Sequence, residues 1–276
     1  MNHGRIYGII PARMQSSRLA RKMLLAETGK PLLQHTWEAA SKATALSEII
    51  IATDSLEIED VARGFGARVE MTGEHVSGSD RIAEVVRRSC GDADIIVNIQ
   101  GDEPEVDPMV IDRLATVLLD HPQFPMATLA TPIASRSILE DRSNVKCVRA
   151  PDGRALYFSR LPIPFAWRDE PENYAVVADE SRLMESPWLL HLGLYAYRRE
   201  FLLAITQMPP SRLERLESLE QLRVLESGAE IYVELIAHRS VGIDTPEDYA
   251  RFVERQKRGF GIQDSGFREG NPNIEV

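Results

Sequence analysis

The chain has 276 residues, 43% of them hydrophobic, with 42 acidic against 32 basic side chains and a formal net charge of −10. That length suits one α/β domain with embellishments, and the apolar and charged fractions are those of a folded chain. The acidic balance argues against general nucleic-acid binding, and no apolar run approaches the roughly 18 residues of a membrane span or a signal-peptide core.

Arg5–Ile10 (RIYGII) is an apolar run bounded by Pro11, the pattern of a buried strand. Pro31 suits the first turn of a helix that places Leu32, Leu33, Thr36, Trp37 and Ala40 on one face. Glu48–Ala52 reads as a second strand, with Thr53-Asp54-Ser55 as its exit and the cap of a helix over 56–65. A short strand at Ala67–Met71, a helix over Ser79–Cys90 and a strand at Ala93–Ile99 follow. The β-α-β-α-β-α-β alternation predicts an α/β fold, a mostly parallel twisted sheet flanked by helices, Rossmann-like in kind. Ligands of such sheets bind at the carboxyl ends of the strands, near the switch in strand order.

Beyond residue 125 the pattern changes. Met126–Pro132, Asn144–Arg149, Arg154–Phe158 and Leu192–Tyr197 are strand-like, which predicts a mixed extension of the sheet. Phe165–Pro187 reads as a long loop without periodicity. Arg212–Glu226, with leucines at 213, 216, 219, 222 and 225, reads as one helix. Ile231–Ile236 is a further strand, and Thr245-Pro246-Glu247-Asp248 caps a last helix. The expected organisation is a single domain over 1–258, with one part to about 125 and a second over about 126–245. The tail, 259–276, is expected to be mobile. Cys90 and Cys147 are too few and too separated for a disulfide framework or a zinc cluster, and read as reduced packing residues of a cytoplasmic protein.

Four segments could carry chemistry. Arg13, Arg18, Arg21 and Lys22 follow the first strand, and the first 26 residues contain no Asp or Glu. Phosphate is the natural partner of such a cluster, because guanidinium offers a planar fork of donors and ammonium a compact charge. Neither a Walker loop nor a G-x-G-x-x-G fingerprint is present, and taken alone the segment reads equally as a solvated basic loop. In VNIQGDEP (97–104), Asp102 follows a strand and could hold Mg²⁺ against phosphates, or serve as a turn acid. In GIDTPED (242–248), Asp244 is a second candidate carboxylate, although capping by Asp244 or Thr245 also explains the motif. In HVSGSDR (75–81), backbone N–H groups and Arg81 could read a base edge or a phosphate, or the loop could simply cap a helix.

Together these pieces carry a resemblance. IIPAR…SSRLARK, IIIATD, SGSDRIAEVV, VNIQGDEPEVDP, ALYFSRLPIP, HLGLYAYRREFL, LERLESLEQLRVLESG and GIDTPEDYARF occur in order across residues 6–252. The sequence resembles the 3-deoxy-manno-octulosonate (Kdo) cytidylyltransferases. The resemblance implies a nucleotide-diphospho-sugar transferase fold, a homodimer, Mg²⁺ as cofactor, and the reaction CTP + Kdo → CMP-Kdo + diphosphate. It implies that Arg13, Arg18 and Lys22 hold the triphosphate and that Ser79, Asp80 and Arg81 belong to the cytidine pocket. Lys22, Asp102 and Asp244 would be catalytic, the two carboxylates binding the metal. Gln100, Arg160, His191, Tyr195, Glu220 and Gln221 would surround the sugar acid, with Arg160 the partner of its carboxylate. By periodicity alone, His191 and Tyr195 are polar members of a sheet face, and Glu220 and Gln221 exposed positions on a leucine-striped helix.

Other acid sugars, 8-amino-Kdo or a sialic acid, are the nearest alternative substrates, and a non-catalytic nucleotide-binding paralogue is the alternative of a different class. The chain departs from the family's R-L-P-G-K-P loop, with Ala20, Arg21 and Met23 in place of Pro, Gly and Pro. Arginine resists the positive φ that glycine permits, so a different backbone path is open to this loop; standing where the family has glycine, Arg21 reads as an extra charge rather than an inherited ligand.

Overall fold

The computed structural model describes residues 4–16, 18–133, 135–165, 187–237 and 242–258. Among these the strands are β1 (Arg5–Ala12), β2 (Glu48–Thr53), β3 (Arg68–Met71), β4 (Ala93–Asn98), β5 (Met126–Pro132), β6 (Lys146–Arg149), β7 (Ala155–Ser159), β8 (Leu189–Arg198) and β9 (Ile231–Leu235). The helices are α1 (Leu32–Ala40), α2 (Leu56–Gly64), α3 (Gly78–Ser89), α4 (Pro108–Asp120), α5 (Arg136–Glu140), α6 (Arg199–Ile205), α7 (Arg212–Glu217), α8 (Gln221–Glu226) and α9 (Pro246–Lys257). All of the predicted loop Phe165–Pro187 but its two end residues, and the predicted tail over 259–276, lie outside the described residues.

The sheet runs β3-β2-β1-β4-β8-β5-β9. β1 pairs in parallel with β2 and β4, and β2 with β3, so the first half is the expected parallel sheet. β8 enters antiparallel between β4 and β5, and the β6–β7 hairpin joins through β6, which makes the extension mixed. The chain leaves β1 for β2 on one side and returns to β4 on the other. The order therefore switches at β1, and the crevice lies where β1 and β4 end.

Neighbouring residues of β1 point to opposite faces and seed two cores. Ile10 packs with Leu33, Ile51, Val97 and Leu114 under α1, α2 and α4, whereas Ile9 packs with Ile50, Val85, Ile96 and Leu222 under α3, α6 and α8. Both faces of the central strands are thus dry, which explains why they read as continuous apolar runs and not as alternating ones. Cys90 and Cys147 are free and buried, and burial pushes their thiols up to about 11 and about 12. A third cluster, Leu32, Ile243, Tyr249, Phe252 and Val253, docks α9 beside α1 and returns the end of the chain to the crevice.

The segment expected as one helix over Arg212–Glu226 is two. Ser218 sits at φ 53° and separates α7 from α8. The leucines recur every third residue, and at ~100° per residue each step falls roughly 60° short of a turn. On one straight helix the stripe would wind away from the core. The break re-aims it: Leu219 and Leu222 are buried while Leu216 is 70% exposed.

Candidate active site

β1 ends at Ala12 and releases the cationic loop, whose last turn (Lys22–Leu24) is a short 3₁₀ helix. Met23 is buried in the core beneath it, so the methionine that replaces a family proline serves as an anchor. Arg21 adopts φ 55°, the left-handed conformation, despite its Cβ. Its guanidinium pairs with Glu57 on α2, away from the crevice. The loop therefore keeps the glycine-like backbone path with an arginine in it.

Lys22 is buried, and its Nζ lies 2.6 Å from Asp102 Oδ2 and 3.1 Å from Asp244 Oδ1. Arg18 Nη2 reaches the other oxygen of Asp244 at 2.9 Å. Two strand exits and the entry to α9 thus converge on one chain of alternating charges, in which two cations neutralise two carboxylates. Asp102 is held by its neighbours: Gly101 C=O accepts from Thr36 Oγ1 at 3.0 Å, and Asp102 C=O accepts from Ile243 N–H at 2.9 Å. Thr245, not Asp244, caps α9 through a capping box with Asp248, so the Asp244 carboxylate is left to face the crevice.

Arg13, Arg18, Lys22, Arg81, Gln100, Asp102 and Asp244 line one cavity of about 310 Å³, with His75–Gly78 on its rim. Arg81 is fixed there by Asp54 at 2.6 Å and Thr72 Oγ1 at 2.5 Å. Ser77 caps α3, and its hydroxyl donates to the Asp80 carboxylate at 2.9 Å; Asp80 lines neither this cavity nor the cleft beside it. Ser79 faces a recess shared with Tyr195, Glu220 and Gln221.

The remaining predicted residues meet in an adjoining cleft of about 700 Å³. Gln100, Arg160, His191, Tyr195, Glu220 and Gln221 all line it, together with Arg13 and Asp244. Gln100 donates to Gly193 C=O at 2.8 Å, where the register of β5 against β8 slips. Thr128 fills that irregularity, donating toward Leu192 and Leu194 carbonyls and meeting His191 Nε2 at 3.0 Å. Burial lowers the His191 pKa to about 3, so the imidazole is a neutral polar group and not a cation. Burial also raises the Glu220 carboxyl above its usual range, opposed in part by contact with Ser79 and the charge of Arg223. The Tyr195 phenol is raised well above its ordinary value by burial. Arg160 is gripped by carbonyls of Glu217, Arg142 and Ser218 at 2.8, 3.0 and 3.3 Å.

Thr128, Lys146, Asp54 and Glu217 support these residues, and the sequence reading did not assign them to the site. A lysine opening the apolar stretch of β6 was the one local signal; the others are joined to their partners only by the fold. Among the described residues no group of three or more His, Cys, Asp and Glu side chains is assembled to hold a metal. Asp102 and Asp244 nonetheless suit Mg²⁺, which takes one or two protein carboxylates and completes its shell with water and substrate phosphates. The ammonium of Lys22 between them shows that both carboxylates can address one small cation.

A cluster of cations beside paired carboxylates, at the switch point of a parallel sheet, is an arrangement that suits a nucleotidyltransferase. Residues 7–231 match the cytidylyltransferase family model. The 3-deoxy-manno-octulosonate cytidylyltransferase of Geobacter sulfurreducens is 44% identical over 91% of this chain and 99% of its own length. That of Actinobacillus pleuropneumoniae serotype 5b, number 1 of its kind, is 46% identical over 88% and 96%. Among solved structures, a CMP:2-keto-3-deoxy-manno-octonic acid synthetase complexed with CTP superposes with a TM-score of 0.83 at 36% identity, over 93% of this chain and all of that one. A Leptospira borgpetersenii cytidylyltransferase, at 15% identity and a TM-score of 0.58, shares the fold. The chain belongs to the cytidylyltransferase family, in the branch of the 3-deoxy-manno-octulosonate cytidylyltransferases.

Proposed function

We propose that this chain couples CTP to Kdo, yielding CMP-Kdo and diphosphate, the activation step for lipopolysaccharide-type glycans. The observation that carries the reading is that Arg13, Gln100 and Asp244 line both the cation-rich cavity and the cleft of the sugar-side residues. A triphosphate in one and a sugar acid in the other would meet at that seam.

In this mechanism Arg13, Arg18 and Lys22 bind the triphosphate, and Arg81, immobilised by Asp54, contributes to the cytidine side with Ser79 from the adjoining recess, while Asp80 holds Ser77 at the start of α3. Arg160 takes the sugar carboxylate, while neutral His191, the half-buried Tyr195 and Glu220 and the buried Gln221 orient the hydroxyls. The anomeric 2-oxygen of the sugar attacks the α-phosphorus in line. A bond forms between that oxygen and phosphorus, the bond from phosphorus to the bridging oxygen breaks, its electron pair leaves with diphosphate, and the hydroxyl proton is released. No covalent enzyme intermediate is required, because positioning and charge neutralisation lower the barrier. Asp102 and Asp244 would hold Mg²⁺, which when bound neutralises phosphate charge and acidifies the attacking hydroxyl.

The enzyme is assigned to the cytoplasm, a reading that its buried, unpaired cysteines support. A homodimer is also proposed: Leu156, Leu161 and Leu216 are 48%, 55% and 70% exposed, large apolar side chains that a second copy would cover. Phosphorus NMR and mass spectrometry of a mixture of enzyme, CTP, Kdo and Mg²⁺ test the reaction. The expected result is diphosphate and a sugar-linked CMP diester in equal amounts; CMP without a sugar adduct would contradict it.

A further inference from the structure

Lys146 opens β6 and is fully buried. Its ammonium donates to three backbone carbonyls, those of Asp141 at 3.0 Å, Asn144 at 2.5 Å and Arg160 at 2.6 Å. All three of its hydrogens are used on carbonyls, and the Asp141 and Glu217 carboxylates favour its charge from a distance while burial opposes it. A buried ammonium is an expensive way to tie a loop, since a neutral donor would satisfy carbonyls at a smaller desolvation penalty.

The other side of Arg160 is held by Glu217, the last residue of α7. One carboxylate oxygen accepts from Ser159 Oγ at 2.7 Å and the other from Arg160 N–H at 3.0 Å. The backbone of Arg160 is thus clamped at both polar groups, its N–H by a carboxylate and its C=O by an ammonium. Its side chain is clamped too. Nε donates to Glu217 C=O, and Nη1 and Nη2 to Arg142 and Ser218 C=O. The left-handed turn at Ser218 that breaks the leucine helix is what presents the Glu217 and Ser218 carbonyls together.

Three of the five guanidinium donors are therefore used on neutral carbonyls, and one hydrogen on each Nη is left. No described carboxylate pairs with the guanidinium, so its charge is unmatched at the wall of the sugar-side cleft. Lys146 adds a second positive charge behind it, offset in part by the carboxylates of Asp141 and Glu217. We propose that Lys146 and Glu217 are positioning residues that hold Arg160 rigid, with two N–H groups forming a fork toward the sugar carboxylate. The inference rests on the reading of Arg160 as that carboxylate's partner.

Steady-state kinetics of the full chain test it with Lys146→Met, Glu217→Ala, Arg160→Ala and the double variants. Lys146→Met and Glu217→Ala are expected to raise KM for Kdo about tenfold, with KM for CTP and kcat each within about threefold of the parent. Because both residues act through Arg160, adding either change to Arg160→Ala is expected to leave KM for Kdo where Arg160→Ala alone puts it. Glu217→Ala keeps the test open if Lys146→Met does not fold. A raised KM for Kdo in Arg160→Ala, with no change in a folded Glu217→Ala, would overturn the positioning role alone, as would multiplicative losses in the double variants. An unchanged KM in Arg160→Ala would overturn both this role and the assignment of Arg160 to the sugar carboxylate.

Discussion

Lys22 Nζ lies 2.6 Å from Asp102 Oδ2 although 80 residues separate them, and the same ammonium reaches Asp244 across 222. The carboxylate pair is thus drawn together by one cation of the loop after β1, and Arg18 supplies the second positive charge. Asp102→Asn keeps a polar group of the same shape at that position but removes its charge. Turnover at ordinary Mg²⁺ is expected to fall roughly a hundredfold or more, the scale of losing one charge-stabilising group at a reacting phosphate. Circular dichroism is expected to show the parent fold. Near-parent activity would remove Asp102 from the mechanism.

Gly101 is where the exits of β1 and β4 touch. A Cβ there would stand 3.2 Å from the Pro11 carbonyl oxygen and 3.2 Å from the terminal methyl of Met23. Backbone cannot yield as a flexible side chain can, so Gly101→Ala is expected to displace Asp102 and lower stability by about 1–2 kcal/mol. Its signature is a loss of kcat larger than the stability change explains, read from kinetics and urea unfolding on the same preparation.

Arg21→Gly separates loop shape from loop charge. Arg21 already occupies the left-handed region and pairs with Glu57, outside the cavity. Glycine relieves about 1 kcal/mol of backbone strain while an exposed ion pair worth ~0–1 kcal/mol is lost. The expected outcome is a KM for CTP within twofold of the parent and a stability change below about 1 kcal/mol. A large rise in KM would make Arg21 a ligand.

His191 supplies a pH dependence. Its folded pKa, about 3, is depressed below the ordinary 6.5. The unfolded chain takes up the proton first, so the stability linked to His191 is fully present above pH 6.5 and drains away as pH falls toward 3. Between pH 7.5 and 5 this removes about 2 kcal/mol, at ~1.4 kcal/mol per unit below 6.5. His191→Gln is expected to weaken that pH dependence in urea unfolding; an unaltered dependence would mean that the imidazole titrates normally.

Much of this was legible from residues 1–125, where β1 and β4 are dry on both faces and the chemistry sits directly after each strand. The phosphate loop and Asp102 could be placed at strand ends from the apolar runs alone. Asp244 could not be placed beside Asp102 that way, because the Leu32–Phe252 cluster that docks α9 is a contact between distant segments. The leucine repeat of 212–226 resembles the stripe of one helix, but a spacing of three drifts around a straight helix, and the left-handed Ser218 divides it in two. Thr128, Lys146 and Glu217 left little local trace, since their meaning comes from carbonyls and side chains brought in by other elements.

Sugar-dependent diphosphate release tests the proposed activity most directly. With CTP and Mg²⁺ present, Kdo, 8-amino-Kdo, a sialic acid and no sugar are compared in parallel. The two-cleft reading predicts release with Kdo, at a rate far above the sugar-free control. Release with sialic acid but not with Kdo, or release indifferent to any sugar, would contradict it.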